Sequence, residues 1–156
     1  TTEYSNNYHL WVIFRYAEIL LNYAEALNEY ADTPPQEVYD AIIDLRKRAG
    51  IEAGDNNLYG LEENLSRKDM REIIHNERRI EMPFEEQRFW DIRRWRIADE
   101  VFQVPLKGMN IIKTMSSETY TEVDLFKVNF EEKHHLLPIP YSEEIKNSNM
   151  IQNPGW

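Results

Sequence analysis

From Phe14 to Glu29 the segment FRYAEILLNYAEALNE repeats apolar positions at steps of three and four: Tyr16, Leu20, Tyr23, Ala24 and Leu27. That is the period of a helix with one buried side. Ala and Leu dominate and neither Gly nor Pro interrupts, so the segment is expected to be helical. It stops ahead of Pro34 and Pro35, where Thr33 reads as the N-cap of a second helix, with Pro34 in its first position and Gln36 completing a capping box. The second helix turns Val38, Ala41, Ile42, Leu45 and Ala49 to one side. It stacks Arg46, Lys47 and Arg48 against the negative end of the helix dipole and leaves through Gly50. Ala17 to Gly50 spans 34 residues, the length of a tetratricopeptide repeat, without the full consensus of one.

A polar stretch from Glu52 to Asn64 reads as a loop, and Ser66-Arg67-Lys68-Asp69 as the cap of a third helix. That helix is expected to send Met70, Ile73, Ile74 and Ile80 inward and to end near Met82, because Pro83 follows. A fourth helix is expected from Phe84 to Val101, with Phe89, Ile92, Trp95 and Arg96 near one another. Beyond Pro105 the texture changes, with Gly108 and short β-branched segments at Ile111 to Thr114 and Leu125 to Val128 that read as short strands. The tail holds LLPIP, a turn that Ser142 would cap, and IQNPGW, and is expected to lie across the helices. The fold class expected is all-α, with tetratricopeptide-like helical hairpins and an irregular carboxyl-terminal segment containing at most short strands. No linker or low-complexity stretch divides residues 1–156, so a single helical domain is expected.

Composition narrows the function. The 156 residues carry 18 Lys plus Arg against 28 Asp plus Glu, a net charge of −10, which disfavours a phosphate-backbone partner. Cysteine is absent, which removes disulfides, thiolate nucleophiles and cysteine zinc sites together. The start, Thr1 to Asn7, has neither Met nor the layout of a secretory signal, and the expectation is a processed product or a piece of something larger.

Charge is densest in ERRIEMPFEEQRFWDIRRW, Glu77 to Trp95, where acidic and basic residues interleave. A helix continued through Pro83 would align Glu77, Glu81, Glu85 and Arg88, with Asp91 and Arg94 close by. Two carboxyls roughly 5 to 10 Å apart could hydrolyse a glycosidic bond. The spacing isolates none of them in an apolar pocket, however, and the favoured reading is an ion network locking helices together. No catalytic or cofactor-binding residue is assigned. None of His9, His75, His134 or His135 shows metal-ligand spacing, and no metal ligand is assigned. Ser66 and Ser142 read as caps, Trp90 and Trp95 as packing residues. Tyr59 and Tyr120, in expected loops, could stack on a sugar ring or be ordinary loop tyrosines.

Taken in order, FRYAEILLNYAEALNE, DLRKRAG (Asp44 to Gly50), ERRIEMPFEEQRFWDIRRW, LLPIP and IQNPGW resemble the carboxyl-terminal part of the SusD/RagB-like proteins, glycan-binding lipoproteins of the Bacteroidetes outer membrane. The resemblance implies a tetratricopeptide-like helical fold and a non-enzymatic role: capture of oligosaccharides, in some members peptides, at the cell surface, as a lid on a SusC-like TonB-dependent transporter. No cofactor and no nucleic-acid partner are expected. Attachment to the membrane would run through a lipid anchor that this sequence lacks, so the chain resembles the carboxyl-terminal portion of a longer member. The family often has Gly where Glu86 stands and a small residue where Pro83 stands, and its sugar-contacting aromatics lie largely upstream. The alternatives are a helical-repeat interaction scaffold and, further off, a glycoside hydrolase using carboxylates from the Glu77 to Asp91 segment.

Overall fold

The computed structural model describes residues 12–156; Thr1 to Asn7 and His9 lie outside the described residues. The chain forms two compact units that divide between Gln87 and Arg88, and each is described by itself.

The first unit contains α1 (Tyr16–Tyr30), α2 (Gln36–Arg48) and α3 (Arg67–Glu81), with α1 packed on both of the others. Its core joins Ala17, Leu21 and Ala24 of α1, Val38, Ala41, Ile42 and Leu45 of α2, and Met70 and Ile74 of α3, closed by Leu61 and Met82. Burying a side chain such as Leu21, Ile42 or Ile74 fully stabilises the fold by about 1.5 to 3 kcal/mol relative to leaving it exposed. The inward face of α1 is rotated from the sequence expectation. Ala17, Leu21, Ala24 and Asn28 are buried, whereas Tyr16 and Tyr23 are exposed. Two alanines on the contact face let neighbouring helices approach closely, and each tyrosine keeps its hydroxyl in water. Ile80 is likewise exposed, and so is Ala49 at the end of α2.

The caps follow the expectation only in part. Ser66 Oγ accepts the Asp69 N–H at 3.2 Å and donates to the Asp69 carboxylate at 2.7 Å, as its position before an amphipathic helix requires. Thr33 caps nothing: α2 starts after Pro35, and Gln36 donates to Asp40 at 2.9 Å instead. Gly50, at φ +82°, ends α2 with the Gly50 N–H on Lys47 O and the Ile51 N–H on Arg46 O, a Schellman closure.

The helix expected from Phe84 to Val101 is broken. Pro83 cannot donate to α3, and Phe84 and Glu86 turn left-handed at φ +62° and +63°. The helix resumes as α4 (Gln87–Arg94), closes in a second Schellman arrangement with Arg96 at φ +59°, and restarts as α5 (Ala98–Gln103). Glu86 thus occupies a conformation that glycine adopts without steric cost.

In the second unit α5 leads into an antiparallel hairpin, β1 (Leu106–Lys113) and β2 (Glu118–Phe126), with Gly108 opposite Val123 and Ile111 opposite Tyr120. A Cβ at Gly108 would stand 2.9 Å from Leu125 Cγ, which explains the small residue there. The strands, of eight and nine residues, are longer than expected, so the chain is mostly helical with a small two-stranded sheet. A 3-10 turn (Glu132–His135) and α6 (Tyr141–Glu144) follow. Pro140, not Ser142, precedes α6, and Ser142 lies inside it. The tail is tied back onto nearby backbone. Gln152 exchanges two hydrogen bonds with Ile139, Asn153 donates to Leu137 O, and the Trp156 indole donates to Lys133 O at 3.0 Å.

Ion pairs bind α3 to its neighbours. Arg46 of α2 donates to Glu77 at 3.0 Å and to Tyr59 O at 2.9 Å, with Arg46 and Glu77 side chains only 14% and 13% exposed. Glu81 receives Arg48 of α2 and Arg15, which also reaches Glu85 at 2.8 Å. The two carboxylates raise the Arg15 pKa further above its usual value, its hydrogen bonding to Glu85 contributing most. Buried Arg78 donates to Asn22 at 2.6 Å and to Gln87 at 3.1 Å. The network is therefore present, and Arg46 and Arg48 of α2 and Arg15 at the start of α1 supply cations to it from outside the segment. Between α1 and α3, Arg71 grips Glu29 through both oxygens at 2.7 and 2.5 Å. That hydrogen bonding holds the Glu29 carboxyl below its usual range.

Arg46→Ala should destabilise the chain by about 2 kcal/mol in chemical denaturation, because it strands a largely buried carboxylate and frees Tyr59 O. Lys113→Ala, which removes an exposed hairpin pair, should stay within about 0.5 kcal/mol. Equal losses would show that Glu77 is not held as described. Glu86→Gly should raise stability by roughly 0.5 to 1 kcal/mol, since relief of the left-handed strain exceeds the entropy that glycine adds to the unfolded chain. A lower thermal midpoint would refute that account. Because the folded pKa of Glu29 is depressed, its contribution is complete above the ordinary glutamate range and fades as pH falls through the lowered value. Glu29→Gln should flatten the acid limb of the stability curve and leave its slope above pH of about 6 unchanged.

Candidate functional site

Hydrolysis of a glycosidic bond needs one carboxyl poised as an acid, usually by isolation in apolar surroundings. Glu77, Glu81 and Glu85 have the opposite setting, each held against a guanidinium. In the second unit Arg94 pairs with buried Asp91 at 2.9 Å. These carboxylates are structural partners, and the arrangement offers none of the expected acid and base pairs an open hollow.

The two sugar-stacking candidates part company. Tyr59 adopts φ +53° in the loop, packs against the core, has Lys47 Nζ over its ring at 5.3 Å, and lends its carbonyl to Arg46. Its ring is a structural element and not a free platform. Tyr120 lies within β2, not in a loop, and is 59% exposed. Its hydroxyl donates to Glu118 at 2.6 Å, which raises the tyrosine pKa. Lys113 first and Tyr120 second lower that of Glu118. Tyr120 therefore offers an open face with an anchored edge. Tyr59 belongs to the first unit and Tyr120 to the second.

Of the tryptophans expected to pack, Trp90 is 54% exposed and meets Phe89 edge-on at 4.9 Å, with the Arg93 guanidinium 3.6 Å from the Phe89 centroid. Burial pushes the Arg93 pKa down, and its Nε donates to His134 O at 3.0 Å. In the first unit an opening of about 380 Å³ is lined by Thr33, Gln36, Tyr39, Leu58, Glu63 and Asn64, with the Tyr39 hydroxyl held by the Leu65 N–H at 2.9 Å. In the second, about 250 Å³ opens beside Asp99, Phe102, Lys127, Asn129 and Phe130.

His134 and His135 lie in the 3-10 turn. His134 Nδ1 accepts the Glu131 N–H at 2.8 Å, a capping role. His135 is buried, and among the described residues its ring converges with Asp99 and Glu132, the three donor atoms all within 4.8 Å of one another. Asp99 stands far from His135 in sequence, so spacing among histidines could not reveal the group.

Comparison with known proteins supplies the family. The chain matches the SusD family over residues 1–156. SusD-like protein P2 of Formosa agariphila is 36% identical over 155 residues, covering 99% of this chain and 27% of that protein. Among solved structures, a SusD-like protein from Bacteroides fragilis superposes with a TM-score of 0.77 at 34% identity, and a SusD homolog from Bacteroides thetaiotaomicron with 0.68 at 29%. Each alignment covers 94% of this chain, with 26% and 27% of the respective structures. The chain thus spans about a quarter of the length of these relatives. With the family match running from one end of the sequence to the other, the chain belongs to the SusD family.

Proposed function

We propose that this chain is the carboxyl-terminal part of a longer surface protein that captures oligosaccharides and passes them to a SusC-like TonB-dependent transporter at the outer membrane, without catalysis. The observation that carries the reading is the family match over the whole chain, supported by the conversion of its conspicuous carboxylates into ion pairs. The helical first unit serves as framework, in the manner of a tetratricopeptide hairpin extended by α3. The acidic balance suits neutral sugars and disfavours nucleic acid. Peptide ligands are the variant reading within the same class.

Tyr120 is the aromatic face in this chain that we assign to ligand contact. Calorimetric titration of an oligosaccharide panel into the intact protein should find one glycan class bound at micromolar to millimolar affinity, on the order of −4 to −8 kcal/mol. Tyr120→Ala should weaken that binding several-fold and leave stability within about 0.5 kcal/mol. Tyr59→Ala should instead destabilise by about 1 to 2 kcal/mol through lost packing and leave affinity unchanged. Absence of heat with every glycan and peptide class would defeat the capture reading. Unaltered affinity in Tyr120→Ala would defeat only the assignment of the residue.

A further inference from the structure

We propose that Asp99, Glu132 and His135 form a binding site for a divalent transition cation of the zinc type. Glu132 and His135 stand three residues apart in a 3-10 turn, where side chains at that spacing eclipse and leave from the same side. α5 brings Asp99 opposite them. His135 Nε2 lies 3.7 Å from Asp99 Oδ2 and 3.9 Å from Glu132 Oε2. Both separations exceed hydrogen-bond length. They suit donors bridged by one cation, since bonds of about 2.0 to 2.2 Å hold neighbouring ligand atoms roughly 3 to 4 Å apart.

The imidazole supplies the independent observation. Its side chain is only 3% exposed, Nδ1 is buried without a hydrogen-bond partner, and Nε2 points between two carboxylates without bonding to either. Withdrawing such a group from water unpaired is unfavourable. A cation at Nε2 would give the nitrogen aimed between the two carboxylates a partner. The ring is held by packing, edge-on to Phe130 at 4.9 Å, which itself stacks on Phe102 at 5.4 Å. Asp99 and Glu132 are half or more exposed, so a cation has a path in and room for water in its remaining positions. Arg96 occupies the other Glu132 oxygen, Oε1, leaving Oε2 toward the histidine. One imidazole nitrogen with two carboxylate oxygens selects zinc and its neighbours over calcium or magnesium, which take oxygen ligands alone.

The test is calorimetric titration of zinc chloride into the full chain after chelator treatment, paired with thermal unfolding. One equivalent should bind, and the midpoint should climb with the logarithm of zinc concentration. His135→Gln and Asp99→Asn should each weaken binding at least tenfold, whereas His134→Gln should leave it unchanged. Should His135→Gln fail to fold, Asp99→Asn decides, because Asp99 is half exposed and its replacement removes no packing. Magnesium chloride at the same concentration should not compete. Absence of zinc binding, or binding that survives both Asp99→Asn and His135→Gln, overturns the proposal.

Discussion

A carboxylate taken out of water needs a cation at contact distance, and α3 presents two of them, Glu77 and Glu81, to the interior edge of the helical unit. That demand explains features that otherwise look unrelated. The last turn of α2 is basic because Arg46 and Arg48 must reach α3, and the residue before α1 is Arg15 because Glu81 and Glu85 require a fork at that end. Apolar contact among Leu21, Ile42 and Ile74 would tolerate small slips along the helix axes. Paired guanidinium forks do not, since their geometry is fixed. The same clamp fastens the loop. Arg46 holds Tyr59 O, Tyr59 stays left-handed, and Leu58 and Leu61 are thereby delivered to the core from a segment with no regular structure.

Helix existence was readable from the sequence because α1, α2 and α3 bury one face each and that burial imposes a period. Which face was harder. In α1 both Tyr16/Tyr23 and Ala17/Leu21/Ala24 satisfy helical spacing, and only the close approach of α2 and α3 selects the alanines. The break at Pro83 was foreseen, yet its sequel was not, since nothing local requires Phe84, Glu86 and Arg96 to turn left-handed. The departure from the family at position 86 nevertheless falls on one of these residues. The hairpin was under-read for a different reason. Both its strands are exposed along nearly their whole length, so neither sequence alternates as a half-buried strand does.

At the candidate sites, legibility followed sequence distance. The acidic run was correctly read as a network, although its cations at Arg15 and Arg46 are separated from Glu81 and Glu77 by 66 and 31 positions. A window confined to Glu77 through Trp95 shows the anions and does not name partners so distant in sequence. Neighbouring His134 and His135 show no metal-ligand spacing between themselves, and the companions of His135 are carboxylates, one of them on α5. Tyr59 and Tyr120 looked equivalent as loop tyrosines until the fold placed one against a core and the other in an exposed strand.

The interaction that fixes the helices also limits what the chain can do with its charge. An acid catalyst must release and regain a proton during each turnover, so its neighbours must not hold it permanently ionised. Glu77 and Glu81 are committed to arginines whose own alternatives are few: Arg46 also carries the loop carbonyl, and Arg15 bridges two glutamates at once. Freeing either carboxylate for chemistry would release a helix contact with it. Rigidity and proton transfer therefore compete for the same side chains, and in this chain rigidity has them. The open face of Tyr120 and the carboxylates beside His135 lie outside that network and are not committed to it.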